Sequence, residues 1–192
     1  MNFNTMQVGP GPYAASTDFC KIFESQMDSL YLLSLLLTAD EALAEKCFVQ
    51  GLDDARNGNR VFRDWAESWA RRTVIMNAIR AVRPSPENGT THSISANVGN
   101  LDEIPQIRAV LDLPTFDRFV YVVCVLEGHS DRECALLFGC TRDAVVKARV
   151  RAFQVLGNPT VVQQQLASAA SDRTIRPERS LQVPPPALAV PA

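Results

Sequence analysis

Residues Ser130–Leu156 read SDRECALLFGCTRDAVVKARVRAFQVL, and this stretch decides the fold. Ser130-Asp-Arg-Glu133 has the spacing of a capping box: the Ser130 hydroxyl takes the Glu133 N–H, and the Glu133 carboxylate takes the Ser130 N–H. The pattern predicts a very short helix ending at Gly139, whose access to positive φ permits a sharp reversal. Thr141 then caps a second helix, Arg142 to Leu156, which Gly157 and Pro159 close. Two short helices joined by such a turn are a helix-turn-helix pattern. Small Ala135 lets the helices approach, and Val145 is expected to bury a face against Leu136 and Leu137. Arg142, Lys147, Arg149 and Arg151 make a local cationic surface opposed only by Asp143. In a major groove the first half of such a helix reaches base edges while flanking cations hold phosphates. Arg142 and Asp143 therefore lead as base contacts, with Lys147 next. Arg149 and Arg151 suit phosphates, and Arg151 suits a structural surface role equally well.

Helical periodicity continues upstream. Pro114 suits the first turn of a helix running to about Leu126, with Phe116, Phe119, Val120, Val123 and Leu126 inward, and Gly128 ends it. A short helix precedes it around Asp102 to Leu111. Nearer the start, one helix is expected from after Ser16 to about Leu37, on Phe19, Ile22, Phe23, Leu30, Leu33 and Leu37. Thr38-Ala-Asp-Glu41 has the form of a second capping box, opening a helix to roughly Asp54 over Leu43, Cys47, Phe48 and Leu52. Arg56-Asn-Gly-Asn59 reads as a turn with Gly58 at positive φ. Asn59 would cap a third helix to Arg83, with Phe62, Trp65, Trp69, Val74 and Ala78 as its buried spine; Trp65 and Trp69, four apart, read as core. Pro84 and Pro86 stop it, and the polar Gly/Ser/Thr/Asn stretch that follows has no periodicity. No strand pattern competes. The fold is expected to be all-α: two small helical domains, 16–83 and 101–157, joined by a flexible linker, 84–100. A disordered extension, 1–15, and a disordered Pro-rich tail, 158–192, flank them.

The totals narrow the function. The 192 residues are 46% hydrophobic and 21% charged, as in ordinary globular proteins, with a formal net charge of −2. A chain gripping DNA over its whole surface is normally basic, so nucleic-acid contact must be local or shared with a partner. The 5 cysteines form no C-x-x-C pair, and neither His92 nor His129 stands in a metal-site spacing with them. Most of them fall at apolar helix positions and read as small core residues in a reducing cytosol, with no metal or other cofactor. The first residues lack the basic-then-apolar order of a signal peptide, and the apolar run Leu30–Leu37 is too short to span a bilayer, so a cytoplasmic protein with no membrane partner is expected. Neither histidine has a nucleophile or phosphate loop around it, and Asp53 and Asp54 point to different helix faces, so no enzyme is expected.

Leu113-Pro114, Arg118, then Glu127-Gly128, Ser130, Glu133, Ala135, Gly139, Thr141, Val145 and Ala148-Arg149-x-Arg151-Ala152 resemble region four of the extracytoplasmic-function sigma factors. The N-terminal unit resembles region two of that family. Leu36-Leu37-Thr38-x-Asp40 with Ala44-Glu45 looks like its second helix, and Phe62-x-x-Trp65 with Ala70-Arg71 and Ile75 looks like the helix that engages the minus-ten element. The turn Asn57-Gly58-Asn59-Arg60 sits where the family has the loop that captures a flipped base. The resemblance implies promoter DNA and RNA polymerase core as partners, with an anti-sigma factor as a further one. It implies minus-thirty-five reading by Arg142, Asp143, Lys147, Arg149 and Arg151, and minus-ten contact by Asn57, Gly58, Asn59, Arg60, Arg71 and Arg72. Docking on the polymerase β′ clamp would fall to Asp40 and Glu45. Departures occur at Lys46, Val49, Arg72 and Met76, where the family usually has an acid, a glutamine, an asparagine and an aspartate. A sigma-like DNA-binding regulator independent of core, and an adaptor that titrates an anti-sigma partner, are the alternatives.

Overall fold

The computed structural model of the chain describes residues 11–58, 60–87 and 104–157. Asn59 and the greater part of the extension, linker and tail lie outside the described residues. Within them the chain is all-α. Its helices are α1 (Ser16–Ser25), α2 (Met27–Thr38), α3 (Glu41–Asn57), α4 (Ala66–Val82), α5 (Pro105–Leu111), α6 (Thr115–Val120), α7 (Asp131–Phe138) and α8 (Arg142–Leu156). A single 3-10 turn, Arg63–Trp65, precedes α4, and a π-helical stretch, Tyr121–Leu126, extends α6.

The helix expected from Ser16 to Leu37 is two helices. Gln26 leaves the helical backbone region at φ −113, and Ser25 Oγ donates to the Ile22 carbonyl at 3.2 Å, a local bond that competes with helix continuation. The capping box assigned to Thr38 is also corrected. Thr38 ends α2, its hydroxyl donating back to the Ser34 carbonyl at 2.9 Å, while Asp40 caps α3 by accepting from the Leu43 N–H at 2.7 Å. Gly58 is extended, with φ −78, not positive; a Cβ there would meet the Asp54 carbonyl oxygen at 2.6 Å. The third helix begins only at Ala66, so Trp65 sits in the turn before it, 64% exposed, and Phe62 is 44% exposed. Both were expected in the spine. Of the 1–15 extension, the described part places the Ala14 N–H on the Val61 carbonyl at 2.8 Å, next to an isolated bridge between Tyr13 and Phe62.

Packing turns on α2. Leu30, Leu33, Leu35, Leu36 and Leu37 are all buried, together with Ser34 and Thr38. A helix apolar all round must be covered all round. α3 and α4 cover it on one side, and α5 and α6 pack on it as well, so the described core runs continuously from the first helices into the last. α3 packs closely on α4 at Gly51, where a Cβ would lie 2.9 Å from Val74 Cγ2. Two arginines reinforce the join. Buried Arg118 on α6 donates to the Leu111 and Leu113 carbonyls at 3.0 and 3.2 Å and reaches the Leu37 carbonyl at 3.4 Å. Burial lowers its pKa to about 10, which leaves it charged at neutral pH. Arg71 on α4 makes a two-pronged pair with Glu127, just after the π-helical stretch, and donates to Ser29 Oγ on α2 at 3.1 Å.

Two further corrections concern the second half. Leu126 is 49% exposed and Leu136 is 77% exposed, so neither faces the core as expected. Two of the cysteines are paired, which the reading as small core thiols did not foresee: Cys124 and Cys134 meet as a disulfide, with their Cα atoms 6.6 Å apart.

Candidate nucleic-acid interface

The α7–turn–α8 unit is built from local signals. Ser130 Oγ accepts from the Glu133 N–H at 3.3 Å, and a Glu133 carboxylate oxygen accepts from the Ser130 N–H at 2.8 Å. These bonds hold the Glu133 carboxyl below its ordinary value, the backbone N–H of Ser130 contributing most. Gly139 takes φ +64 and ends α7 with its N–H on the Ala135 carbonyl. Thr141 Oγ1 accepts from the Ala144 N–H at 3.2 Å and starts α8. Val145, Ala148 and Ala152 form the buried stripe of α8, packed on α6 and α7. Helical spacing places Asp143, Lys147 and Val150 opposite that stripe, and all three are exposed.

The cations on α8 divide into two sets. Arg142 is exposed at the first turn and has no ion pair among the described residues. Lys147 Nζ lies 2.7 Å from Asp143, a pair with both side chains open to water. Such a surface pair is worth little and yields readily to a phosphate. Arg149, by contrast, reaches Asp131 at 2.6 Å and ties α8 to α7. Arg151 grips Asp117 through two bonds, 2.9 and 2.6 Å, and ties α8 to α6. Asp117 is only 5% exposed at its side chain, so Arg151 balances a buried charge. The charged groups of α8 that are not tied to another helix are thus Arg142, Asp143 and Lys147, whereas Arg149 and the half-exposed Arg151 are held by acids on α7 and α6.

A second surface lies on the first four helices. Tyr13 and Phe62 stack with ring centroids 4.9 Å apart, and Trp65 meets Phe62 edge-on at 5.5 Å. The Arg60 guanidinium sits 5.7 Å above the Tyr13 ring. Exposed aromatic rings beside a cation have the chemistry to stack unpaired bases. Beside Asn57 and Gly58 opens a groove of about 520 Å³, lined also by Asp54, Trp69, Arg72, Thr73, Met76 and Arg80. The indole N–H of Trp69 is buried and has no hydrogen-bond partner among the described residues. Asp54, held below the ordinary carboxylate range chiefly by its hydrogen bond from Arg80, lies 2.8 Å from that guanidinium. Of the residues assigned to minus-ten contact, Asn57, Gly58, Arg60 and Arg72 are exposed, Arg71 is bound to Glu127, and Asn59 lies outside the described residues.

Sequence reasoning missed the aromatic strip because it kept Trp65 in helical phase with Trp69. The Asn-Gly-Asn turn just upstream was the available signal that the chain there is not yet helical. Of the clamp-docking pair, Asp40 is half-buried as a helix cap and Glu45 is exposed, with Lys46 and Val49 exposed beside it. Among the described residues no group of three His, Cys, Asp or Glu side chains could hold a metal, and no helix is long and apolar enough to cross a membrane. Compared with protein-family models, with curated proteins and with solved structures, the chain finds no match in any of the three.

Proposed function

We propose that this chain is a sigma-factor-like transcription-initiation protein that binds RNA polymerase core in the cytoplasm and directs it to specific promoters. In this reading the two ends of the chain are distinct functional units joined through 84–100. The α5–α8 unit reads the minus-thirty-five duplex through Arg142, Asp143 and Lys147. The α1–α4 unit engages the opened minus-ten strand through Arg60, Arg72 and the Tyr13–Phe62–Trp65 strip, and meets the polymerase β′ clamp around Asp40 and Glu45. It has no catalytic role of its own, and an anti-sigma factor is its natural antagonist.

The observation that carries the reading is the presentation of α8. Three local caps set a helix-turn-helix whose last helix keeps its first turns outward and charged, which is what base-edge contact requires. The net charge of −2 fits a protein whose partner supplies most of the phosphate contacts. Run-off transcription with purified core polymerase, on DNA upstream of the coding sequence, tests it. Promoter-dependent transcripts are expected, and Arg142→Ala should weaken duplex binding by about 1–3 kcal/mol. Unchanged binding by that variant would remove α8 as the reading helix.

A second reading, a DNA-binding regulator that works without core, is favoured by Lys46 and Val49, exposed on the face that would dock. Tight duplex binding without any transcript would select it.

A further inference from the structure

We propose that Cys124 and Cys134 are a reversible thiol–disulfide switch that sets whether α7 and α8 are held in the geometry that fits a DNA groove. The proposal rests on the duplex-binding reading above for its consequence, and on the packing of α7 for its cause.

α7 has 8 residues, too few to persist as a helix without tertiary anchoring. Cys134 is its one fully buried residue; Leu136 points to water, and Ala135, Leu137 and Phe138 are partly covered. Besides the Phe138 ring contacts and the Asp131–Arg149 pair, its anchor is the Cys134 side chain, which meets Cys124 on the helical segment that supports the motif. The Cα separation of 6.6 Å is within bridging range. Cys124 is partly exposed, so reagents reach the bond from its side. The remaining cysteines do not compete well. Burial raises the Cys47 and Cys140 thiols, which disfavours their reactive thiolates, and Cys20 lies on α1, far along the chain.

Forming the bond needs a two-electron acceptor, here one of the peroxide class. The Cys124 thiolate attacks a peroxide oxygen, the O–O bond breaks, an S–O bond forms, and the departing hydroxide takes up the thiol's proton as water. Cys134 Sγ then attacks Cys124 Sγ. The S–S bond forms, the S–O bond breaks, and the hydroxyl leaves with the Cys134 proton as a second water. Each sulfur is oxidised by one electron, and the two peroxide oxygens are reduced. A dithiol reductant reverses the change by attacking Cys124 Sγ and leaves as its own disulfide. Reduction removes the covalent tie between α7 and its support and leaves the Phe138 ring contacts and the Asp131–Arg149 pair to hold the helix, so α7, and α8 packed on it, open more often.

The full chain is treated with hydrogen peroxide or with dithiothreitol, then mapped by peptide mass, amide exchange, and binding to duplex DNA from upstream of the coding sequence. The oxidised chain should lose two hydrogens in one peptide pair joining Cys124 to Cys134. Exchange over 131–156 should slow by about tenfold or more, and duplex affinity should exceed that of the reduced chain by about tenfold. Cys124→Ser, at a partly exposed position, should abolish all three responses, and Cys140→Ser should keep them. Absence of the bridge, a bridge that leaves exchange unchanged, or equal duplex affinity in the two forms overturns the switch. If exchange responds but neither form binds duplex at all, the switch of geometry stands and the DNA-binding reading falls.

Discussion

Replacing Arg151 with alanine separates a structural cation from a phosphate contact. Its guanidinium holds both oxygens of Asp117 at 2.9 and 2.6 Å, and that carboxylate is 5% exposed. Removing one partner of a fully buried pair costs roughly 3–5 kcal/mol, because the other charge is stranded. Arg151 is itself 50% exposed, so water can reach part of the vacated site, which moves the cost toward the surface-pair limit of about 0–1 kcal/mol. Asp117 also sits in the first turn of α6, whose dipole favours a negative charge by a further few tenths of a kcal/mol. The balance is a loss of about 2 kcal/mol. With a urea dependence of about 2 kcal/mol per molar, the unfolding midpoint should fall by roughly 1 M. Arg151→Lys keeps the charge without the fork and should lose about half as much. The Asp117→Ala, Arg151→Ala double variant should lose less than the sum of the single ones. Measurements belong in one fixed redox buffer, since the Cys124–Cys134 bond lies in the same bundle. A midpoint moved by less than about 0.2 M, together with weaker duplex binding, would refute the structural role and restore Arg151 to the phosphates.

Thr141→Ala should remove the cap of α8 at a cost of about 1 kcal/mol, visible as faster amide exchange at Arg142–Ala144 and weaker duplex binding; unchanged exchange would disprove the cap. Glu133 has its carboxyl held below the ordinary 4.5, so its contribution is complete above that value and disappears as pH falls through the lower folded value. The start of α7 should therefore fray on acidification below the ordinary carboxylate range, seen as rising exchange at Ser130–Arg132, and Glu133→Gln should flatten that pH response. Trp65→Ala should leave stability within about 0.5 kcal/mol because the ring is exposed. The same change should weaken single-stranded DNA binding by about 1–3 kcal/mol in a fluorescence titration, and unaltered binding would rule the strip out.

Much of the helix-turn-helix was legible because its determinants are local. Ser130, Glu133, Gly139 and Thr141 act within one turn of their own backbone, so spacing alone predicts the bonds they make. The misassigned residues are those whose environment comes from distant chain. Thr38 matched the capping pattern, yet Asp40 won the cap, because the Thr38 hydroxyl had a buried carbonyl of its own helix to satisfy. Leu126 and Leu136 obey helical periodicity but fall where the described neighbours leave them 49% and 77% exposed. On the candidate site, the exposed trio Arg142, Asp143 and Lys147 followed from helix phase, whereas the inward commitment of Arg149 and Arg151 required Asp131 and Asp117, each many residues away.

By itself, then, the amino-acid order determined an all-α chain, the start and reversal of the helix-turn-helix, and the face of α8 that meets solvent. These follow from hydrogen bonds and periodicities that span a few residues. The tertiary structure decided what covers the apolar helix α2, why Arg71 turns to Glu127, and which two of the cysteines meet. Leu30 to Leu37 demanded burial on every side, but demand for burial is not directional, and nothing in that run specifies α5 and α6 as the cover. A partner for a charge or a sulfur is chosen by proximity in space, which only the folded chain supplies.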